Sequence, residues 1–294
     1  MSHSWMASFS GLLVLFTIVT SVLAQDLGIK LDRSAYENAQ RVIYSSKLTF
    51  TADTATLFTD DQLYGLASLA HTQMQSKFRA DGIDQKLQPS MMAAMALGND
   101  VYLSSSLKGG WFVYNKFADS RSKPEVRLAL ERCQAQLQAS KKGPVNKEHQ
   151  TRASCAEVFT VHQYNLDDEV SQEARRRPPA TRIVAFGKAG ISGSLGPQNA
   201  CGGGESVNDK GLLTWGCKQF MANEGITVAR KPARNANLGL PRPFPTFTKK
   251  QISIIPATHN HLLGHTSSPV RMDLSTKYDV RLEEAVMGSV YYRL

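Results

Sequence analysis

Two short apolar segments joined by a glycine–asparagine pair constrain the fold of this chain more than any other feature of its sequence. Residues 91–97 read MMAAMAL and residues 101–107 read VYLSSSL, with Gly98 and Asn99 between them. Glycine and asparagine tolerate the positive φ angles that a tight turn between antiparallel strands requires. The sequence therefore predicts a β-hairpin over residues 91–107.

Amphipathic helices are predicted on both sides of this hairpin along the chain. Thr59 and Gln62 have the spacing of a capping box, and the apolar residues after them recur at helical spacing, which predicts a helix over residues 60–78. A second helix is predicted from Pro124, which suits a first helical position, and its apolar face includes Cys133. The remaining predicted elements are a strand at 111–114, a helix beginning near 155, a buried strand at 182–187, a helix at 217–224 and a strand at 252–255.

The order of these elements predicts the fold class and the division of the chain. Hairpin, helix, strand and helix together imply an α/β fold with at least one strand covered on both faces. Residues 25–88 are expected to form an N-terminal lead-in that is irregular up to residue 58 apart from one short helix, and helical after it. Residues 89–229 are expected to form the α/β core. Residues 230–294 begin with a proline-rich stretch, and we expect them to form an irregular extension wrapped on that core.

The N-terminal segment has the features of a cleavable export signal. Residues 11–24 form an apolar run that is long enough for a signal peptide but shorter than the roughly 20 residues of a spanning helix. Val22 and Ala24 stand three positions and one position before a cut at Gln25, as a signal peptidase requires. The alternative is an N-terminal anchor, which the lack of Lys and Arg ahead of the apolar run favours. We expect residues 1–24 to be removed and the mature chain to be secreted, with no membrane attachment.

The charge of the chain favours acidic partners. It has 34 Lys and Arg against 25 Asp and Glu, which gives a net charge of +9 and an isoelectric point near 9.4. Basic proteins attract nucleic acids, nucleotides and anionic surfaces. The basic residues are spread along the chain, and the triplet from Arg175 to Arg177 is either a phosphate contact or a solvated turn.

Four cysteines bear most directly on the chemistry of the chain, namely Cys133, Cys155, Cys201 and Cys217. In an exported protein such an even number usually forms disulfides, and a bridge between Cys201 and Cys217 would close a glycine-rich loop. Cys155 and Cys217, however, stand where helices are predicted to begin, and helix N-termini stabilise the thiolate that binds metals. Cys133 faces the core side of its helix and is either a buried thiol or a disulfide partner of Cys155.

Several polar residues surround the first turn of the helix that carries Cys155. Ser154 and Glu157 have the spacing of a capping box, so Glu157 either caps this helix or takes part in chemistry. His149 and His162 flank the same helix, and each either lines a pocket or is a solvated or core histidine. A separate group of histidines that could bind a metal lies near the C-terminus: His259, His261 and His265.

The run Ser154-Cys155-Ala156-Glu157 on a helix, the buried strand after it and the paired cysteines near the next helix start resemble the cytidine-deaminase-like superfamily. The chain is similar to the secreted, toxin-type branch of that family and its fungal relatives over residues 91–226. This resemblance implies a deaminase-like three-layer α/β/α core. In that family a His or Cys, one residue and then a Glu supply the first zinc ligand and the proton shuttle, and a later Pro-Cys-x-x-Cys supplies two more ligands.

The resemblance implies a role for each matching residue. Cys155 would be the first zinc ligand, Glu157 the general acid and base, and Cys201 and Cys217 the other two ligands. The chain departs from the family pattern because fifteen residues, and not two, separate Cys201 from Cys217. Three protein ligands leave zinc a position for water, whose pKa the metal lowers to about 7. The glutamate takes the proton, and the hydroxide attacks the amine-bearing carbon of a base such as cytosine or adenine.

We therefore expect a secreted, zinc-dependent deaminase-like protein that hydrolyses an exocyclic amine of a nucleobase, nucleotide or nucleic acid. Its cofactor would be zinc, and its partner a nucleotide or a single-stranded nucleic acid. The alternative is a non-enzymatic secreted interaction or effector protein whose cysteines form disulfides. Sulfur separation distinguishes the two, because zinc ligands lie about 4 Å apart and disulfide sulfurs about 2.05 Å apart.

Overall fold

The computed structural model describes residues 25–116, 123–176, 180–188, 190, 193–202, 206–233 and 238–255. Within these residues the strands are β1 (Lys30–Leu31), β2 (Tyr44–Phe50), β3 (Met91–Leu97), β4 (Asp100–Ser105), β5 (Thr181–Lys188), β6 (Leu195–Gln198), β7 (Ile226–Val228) and β8 (Phe247–Lys250). The helices are α1 (Arg33–Ala39), α2 (Thr54–Leu57), α3 (Asp60–Lys77), α4 (Val113–Lys116), α5 (Glu125–Ser140), α6 (Ala156–Leu166), α7 (Gln172–Arg176) and α8 (Cys217–Asn223). The predicted signal segment, residues 1–24, lies outside the described residues.

The eight strands form one sheet with the predicted hairpin at its centre. The order is β1-β2-β4-β3-β5-β6, with β8 also paired to β2 and β7 also paired to β5. The pairing of β7 with β5 is parallel, and the other pairings between these strands are antiparallel. Leu97 pairs with Asp100 across the turn, and Gly98 has a φ of +51°, so the glycine–asparagine turn is confirmed.

Helices cover both faces of this sheet. Successive side chains of a strand point to opposite faces. Accordingly Met95 and Tyr102 pack on one side with the buried residues of α5, α6 and α8, whereas Ala94 and Val101 pack on the other side with those of α3. The mixed α/β fold predicted from the sequence is confirmed in this general form.

Helix α3 forms where its sequence pattern predicts. The Thr59 hydroxyl accepts a hydrogen bond from the backbone N–H of Gln62, and the Gln62 side chain accepts one from the backbone N–H of Thr59. Leu63, Leu66 and Met74 on its inner face are fully buried. Each such side chain contributes about 1.5–3 kcal/mol of hydrophobic stabilisation. Helix α5 also forms, but it begins one residue later than predicted because Pro124 is its N-cap.

Three predicted local structures are wrong. The lead-in before residue 58 is not irregular, because β2 lies there and pairs with β4 of the hairpin. Residues 113–116 form a helical turn and not a strand. The strand predicted at residues 252–255 lies earlier, at Phe247–Lys250, and pairs with β2. Ile254 is nevertheless buried, and its backbone N–H donates to the Asp32 carboxylate over 2.7 Å.

A buried ion-pair network explains why β2 is hard to recognise from its sequence. Lys47 is only 3% exposed, and its Nζ lies 2.6 Å from Asp167 and 2.6 Å from Glu169. The Tyr102 hydroxyl also donates to Asp167, over 2.6 Å. Burial alone would lower the pKa of Lys47, but its hydrogen bonds to Asp167 and Glu169 raise that pKa above the usual value. A lysine can therefore occupy a buried strand position here.

No helix in the described part of the chain is both long and apolar enough to cross a membrane.

Candidate metal centre

Four side chains converge at one edge of the sheet. The ligand atoms of His149, Cys155, Cys201 and Cys217 all lie within 4.8 Å of one another. The sulfur atoms of Cys155 and Cys201 are 3.5 Å apart. Nε2 of His149 lies 3.4 Å from the sulfur of Cys217 and 3.8 Å from that of Cys201. These three cysteines are the ones predicted as ligands, and His149 joins them.

The distances between these atoms fit a tetrahedral metal. With metal–sulfur bonds of about 2.3 Å and metal–nitrogen bonds of about 2.0–2.1 Å, the tetrahedral sulfur–sulfur edge is about 3.8 Å and the sulfur–nitrogen edge about 3.6 Å. The separations of 3.5, 3.4 and 3.8 Å lie close to these values. Three of the ligand pairs therefore already have the separations that a tetrahedral ion of the size of zinc requires, and all four ligand atoms lie within 4.8 Å of one another.

The alternative that the cysteines form disulfides does not hold in this structure. All four cysteines are free thiols. Cys133 is buried in the core away from the cluster, and burial raises the pKa of its thiol to about 12. It therefore serves as an apolar core residue, as the first of its two sequence interpretations proposed.

A strained loop brings His149 and Cys155 to the same point. The backbone N–H of Arg152 donates to the carbonyl of His149 over 2.7 Å, which closes a tight turn. Arg152 and Ala153 have φ angles of +52° and +58°, a left-handed conformation that is costly for residues with a Cβ. The Leu107 N–H then donates to the Ser154 carbonyl over 3.0 Å and fastens the end of this loop beside the hairpin.

Thr151 connects the two ligands of this loop. Its Oγ1 lies 3.0 Å from Nδ1 of His149 and 2.9 Å from the sulfur of Cys155. When Nδ1 carries the proton and donates to this hydroxyl, the lone pair of Nε2 faces the sulfurs, as metal binding requires. The backbone N–H of Thr151 points at the same Nδ1 over 3.3 Å and is its donor in the other tautomer. Trp215 packs edge-on against the imidazole and limits its rotation.

Cys201 and Cys217 meet in spite of the fifteen residues between them, because the insertion folds back on itself. The Thr214 N–H donates to the Ser206 carbonyl over 2.8 Å, and so the two ends of the insertion approach each other. The Cys217 N–H then donates to the sulfur of Cys201 over 3.1 Å. A Cβ on Gly216 would lie 2.7 Å from that sulfur, so only glycine permits this approach.

The surroundings of Cys201 favour a thiolate. Its sulfur accepts hydrogen bonds at the N-terminus of α8, where the helix dipole also stabilises negative charge. The hydrogen bonds from Cys155 and Cys217, together with the nearby His149, hold the pKa of the Cys201 thiol well below its usual value. Metals bind the thiolate form of cysteine, which this low pKa favours at Cys201, whereas burial and the neighbouring thiols raise the pKa of Cys217.

Glu157 does not cap its helix as one sequence interpretation proposed. The N-cap of α6 is Cys155, one residue later than Ser154, and no side chain makes a capping hydrogen bond there. The Glu157 side chain is buried, and no cation pairs with it in the part of the chain that the structure describes. Burial and the negative charge of Cys201 raise the pKa of Glu157 to about 7, against the opposing effect of a hydrogen bond from Cys217.

Among the described residues, His162 and Arg175 do not join this cluster, and Arg177 of the arginine triplet lies outside them. His162 is buried inside α6, and its Nε2 lies 3.1 Å from the carbonyl of Ile254. Arg175 belongs to α7, and one of its guanidinium nitrogens donates to the Asp167 carbonyl. The predicted second group lies outside the described residues: His259, His261 and His265.

His149 is the ligand that sequence reasoning did not assign. Its only signal was a position six residues before Cys155, beside a predicted helix start. That spacing indicates a shared site only once the left-handed conformation of Arg152 and Ala153 is known, because these two residues turn the chain back and bring His149 close to Cys155.

Comparison of the chain with protein-family models, with curated proteins and with solved structures gives no match.

Proposed function

We propose that this centre binds zinc and that the chain is a deaminase-like hydrolase acting on an exocyclic amine of a nucleobase, nucleotide or nucleic acid. One observation carries the proposal. Cys155, Cys201 and Cys217 converge to separations close to those of a tetrahedral metal site, and the buried carboxyl of Glu157 is near enough to Cys201 and Cys217 for them to shift its pKa. Paired metal ligands and an unligated carboxyl are the parts that such a hydrolysis needs.

The chemistry of the donor set favours zinc over other ions. Thiolates and imidazole are soft ligands that select zinc, copper(I) or iron–sulfur clusters, whereas magnesium and calcium prefer oxygen. A tetrahedral arrangement of such donors is typical of zinc.

The arrangement of elements around the centre agrees with a deaminase-like core. Cys155 stands at the start of α6 and Cys217 at the start of α8, and both helices lie on the same face of the sheet. Helix α8 follows β6 and leads into β7, the parallel neighbour of β5. The order hairpin, helix, strand, helix is the one on which the resemblance to deaminases rests, so the layering supports the proposal.

Glu157 is suited to move a proton in this site. Zinc, when bound, would supply Lewis acidity and lower the pKa of water to about 7. A carboxyl with a pKa of about 7 can take up a proton near neutral pH and give it to a departing amine. Hydrolysis then replaces the carbon–nitrogen bond of the amine with a carbon–oxygen bond and releases ammonia. Burial keeps the carboxyl in contact with the cluster and away from bulk water.

Secretion is part of the same proposal. The apolar run at residues 11–24 and the small residues before Gln25 support removal of an export signal. Thiol ligands persist outside the cell when a metal occupies them, since ligation protects thiolates from the oxidation that disulfide formation requires.

A second function is favoured by one specific observation, the presence of His149 as a fourth donor. Structural zinc sites have four protein ligands, whereas catalytic sites keep one position open. If His149 ligates permanently, the zinc is structural and the chain is a secreted interaction protein. If His149 leaves the fourth position, the site is open and Glu157 stands beside it.

Both functions are tested on the protein recovered from the medium of a secreting host. N-terminal sequencing should give Gln25 as the first residue, and metal analysis should give one zinc per chain. Ammonia release is then measured with nucleosides, nucleotides and oligonucleotides. Glu157→Gln should retain zinc and lose at least about 100-fold in rate, whereas Glu173→Gln, an exposed carboxyl on α7, should leave both unchanged.

The variant His149→Ala separates an open site from a closed one. Retained zinc with retained ammonia release supports the open, catalytic site. If His149→Ala loses its zinc and the parent protein releases no ammonia from any substrate, the structural site is supported. Four oxidised cysteines and no metal in the secreted protein would refute both.

A further inference from the structure

An exposed tryptophan, Trp111, contacts Arg152 of the metal-centre loop through its ring and Arg41 through its backbone carbonyl. Trp111 is 38% exposed, which is unusual for so large an apolar side chain. The guanidinium carbon of Arg152 lies 3.2 Å from the centre of its ring, a cation–π contact. Arg41 donates from Nε and from a terminal nitrogen to the Trp111 carbonyl, over 3.3 and 3.1 Å. The indole is therefore fixed in position while part of its surface remains open to solvent.

This tryptophan belongs to the same surface as the metal ligands. Arg152 stands in the strained loop between His149 and Cys155, and its backbone N–H bonds to the His149 carbonyl. Thr151, the residue before it, is exposed and touches the sulfur of Cys155. The stacked pair of Trp111 and Arg152 is therefore only a few residues from the point where the cluster meets solvent.

The surface around the indole is positively charged. Lys116 lies over the ring of Phe112, the residue that follows Trp111, and the charge of Arg41 adds to burial in lowering the pKa of Lys116. Neither Arg41 nor Lys116 forms an ion pair with a carboxylate among the described residues. Arg152 has only a long contact of 3.8 Å with Glu148. Three cations without a short ion pair thus lie close to Trp111 and Phe112: Arg152 on the indole ring, Arg41 on the Trp111 carbonyl and Lys116 over the Phe112 ring.

We propose that Trp111, Arg41, Lys116 and Arg152 form a platform that binds single-stranded nucleic acid beside the metal centre. The indole would stack on one unpaired base, and the three cations would contact the flanking phosphates. Aromatic stacking combined with a basic groove is how proteins bind single strands with little sequence preference, and a duplex hides the base faces that stacking needs. This proposal rests on the proposed function, and it names the substrate of the metal centre as an oligonucleotide and not a free nucleoside.

Fluorescence anisotropy of a labelled twelve-nucleotide oligothymidylate, measured on the zinc-bearing protein, tests the platform. Trp111→Ala should weaken binding about 5- to 100-fold, and Trp111→Phe should restore much of that loss. The slope of log K against log[salt] should be near −2 for three phosphate contacts. Arg41→Gln and Arg152→Gln should each reduce that slope by about 0.7, whereas Arg79→Gln, an exposed arginine on another surface, should not.

Each outcome of these measurements decides for or against the platform. The platform would be overturned if the parent and Trp111→Ala bound the oligonucleotide equally well or if the matched duplex bound more tightly than the single strand. It would also be overturned if polyglutamate displaced the oligonucleotide as effectively as unlabelled oligonucleotide does. Binding to RNA as well as DNA oligonucleotides, with the same dependence on Trp111, supports it. Because anisotropy does not depend on turnover, Trp111-dependent binding without ammonia release would sink the proposed hydrolysis and leave the platform standing. Ammonia release from nucleosides without oligonucleotide binding would support the proposed hydrolysis and overturn the platform.

Discussion

The substitution Gly216→Ala tests the geometry of the metal centre without changing any ligand. Gly216 has a φ of −153°, which any residue adopts, so the backbone itself tolerates alanine. The added Cβ, however, would lie 2.7 Å from the sulfur of Cys201, 2.7 Å from its carbonyl carbon and 2.8 Å from its carbonyl oxygen. Two of these atoms are backbone atoms, so a rotamer change of Cys201 does not relieve the overlap.

The size of the expected effect follows from these distances. To reach ordinary van der Waals contact, Cys201 must recede by about 0.7 Å, whereas metal–ligand distances tolerate about 0.2 Å. We expect the affinity for zinc to fall at least about 10- to 100-fold, as it does when the support of a ligand is removed. Overpacking should lower the free energy of unfolding by about 1–3 kcal/mol.

Competition with a chromophoric chelator measures the zinc affinity, and urea denaturation measures the free energy of unfolding. Gly196→Ala is the matched control, because Gly196 is also an extended glycine and a Cβ there would meet nothing within 4 Å. It should bind zinc as the parent does. Parental zinc affinity in Gly216→Ala would refute the close approach of Cys201 to the start of α8, and with it the tetrahedral arrangement.

Three further predictions concern the rest of the structure. Thr151→Val removes the hydroxyl between His149 and Cys155 and should weaken zinc binding about 10- to 100-fold in the same chelator assay. Lys47→Met leaves the buried Asp167 carboxylate without its cation and should lower the free energy of unfolding by about 3 kcal/mol, measured in urea. Hydrogen bonds from Lys47 and Tyr102 outweigh burial and lower the pKa of Asp167. Its contribution is therefore present above about pH 4 and is lost as the pH falls through the lowered pKa, so the acid unfolding limb should be shallower in Lys47→Met. Gln40→Gly relieves a φ of +51° at the C-cap of α1 and should raise the free energy of unfolding by about 0.5–1 kcal/mol in urea.

The hairpin and the helices α3, α5, α6 and α8 could be predicted because their signals are local. Thr59 and Gln62 satisfy each other within one helical turn, and Gly98 supplies the positive φ of the turn by itself. Strand β2 could not be predicted in the same way. Its sequence, YSSKLTF, places Lys47 in the interior of the fold, and this is stable only because acidic residues from distant parts of the chain neutralise the charge.

The start of α6 shows how a local signal can mislead. The spacing of Ser154 and Glu157 is that of a capping box, but the left-handed residues before Ser154 shift the N-cap to Cys155. Glu157 thereby loses its capping partner, and its buried carboxyl instead interacts with Cys201 and Cys217. The strand predicted at residues 111–114 failed for a related reason, because this apolar segment packs as a helical turn beside α5.

The sequence by itself determined the candidate chemistry of this protein. Cys155 and Cys217 stand where helices are predicted to begin, and Glu157 follows Cys155 by two residues, so these residues were candidates from the sequence, while Cys201 was assigned through the resemblance. Only the tertiary structure decided that these groups meet. His149 joins them through two left-handed residues, and Cys201 reaches Cys217 because Gly216 has no Cβ. Ligand convergence depends on where backbone segments far apart in the chain approach each other, and no local pattern records that approach.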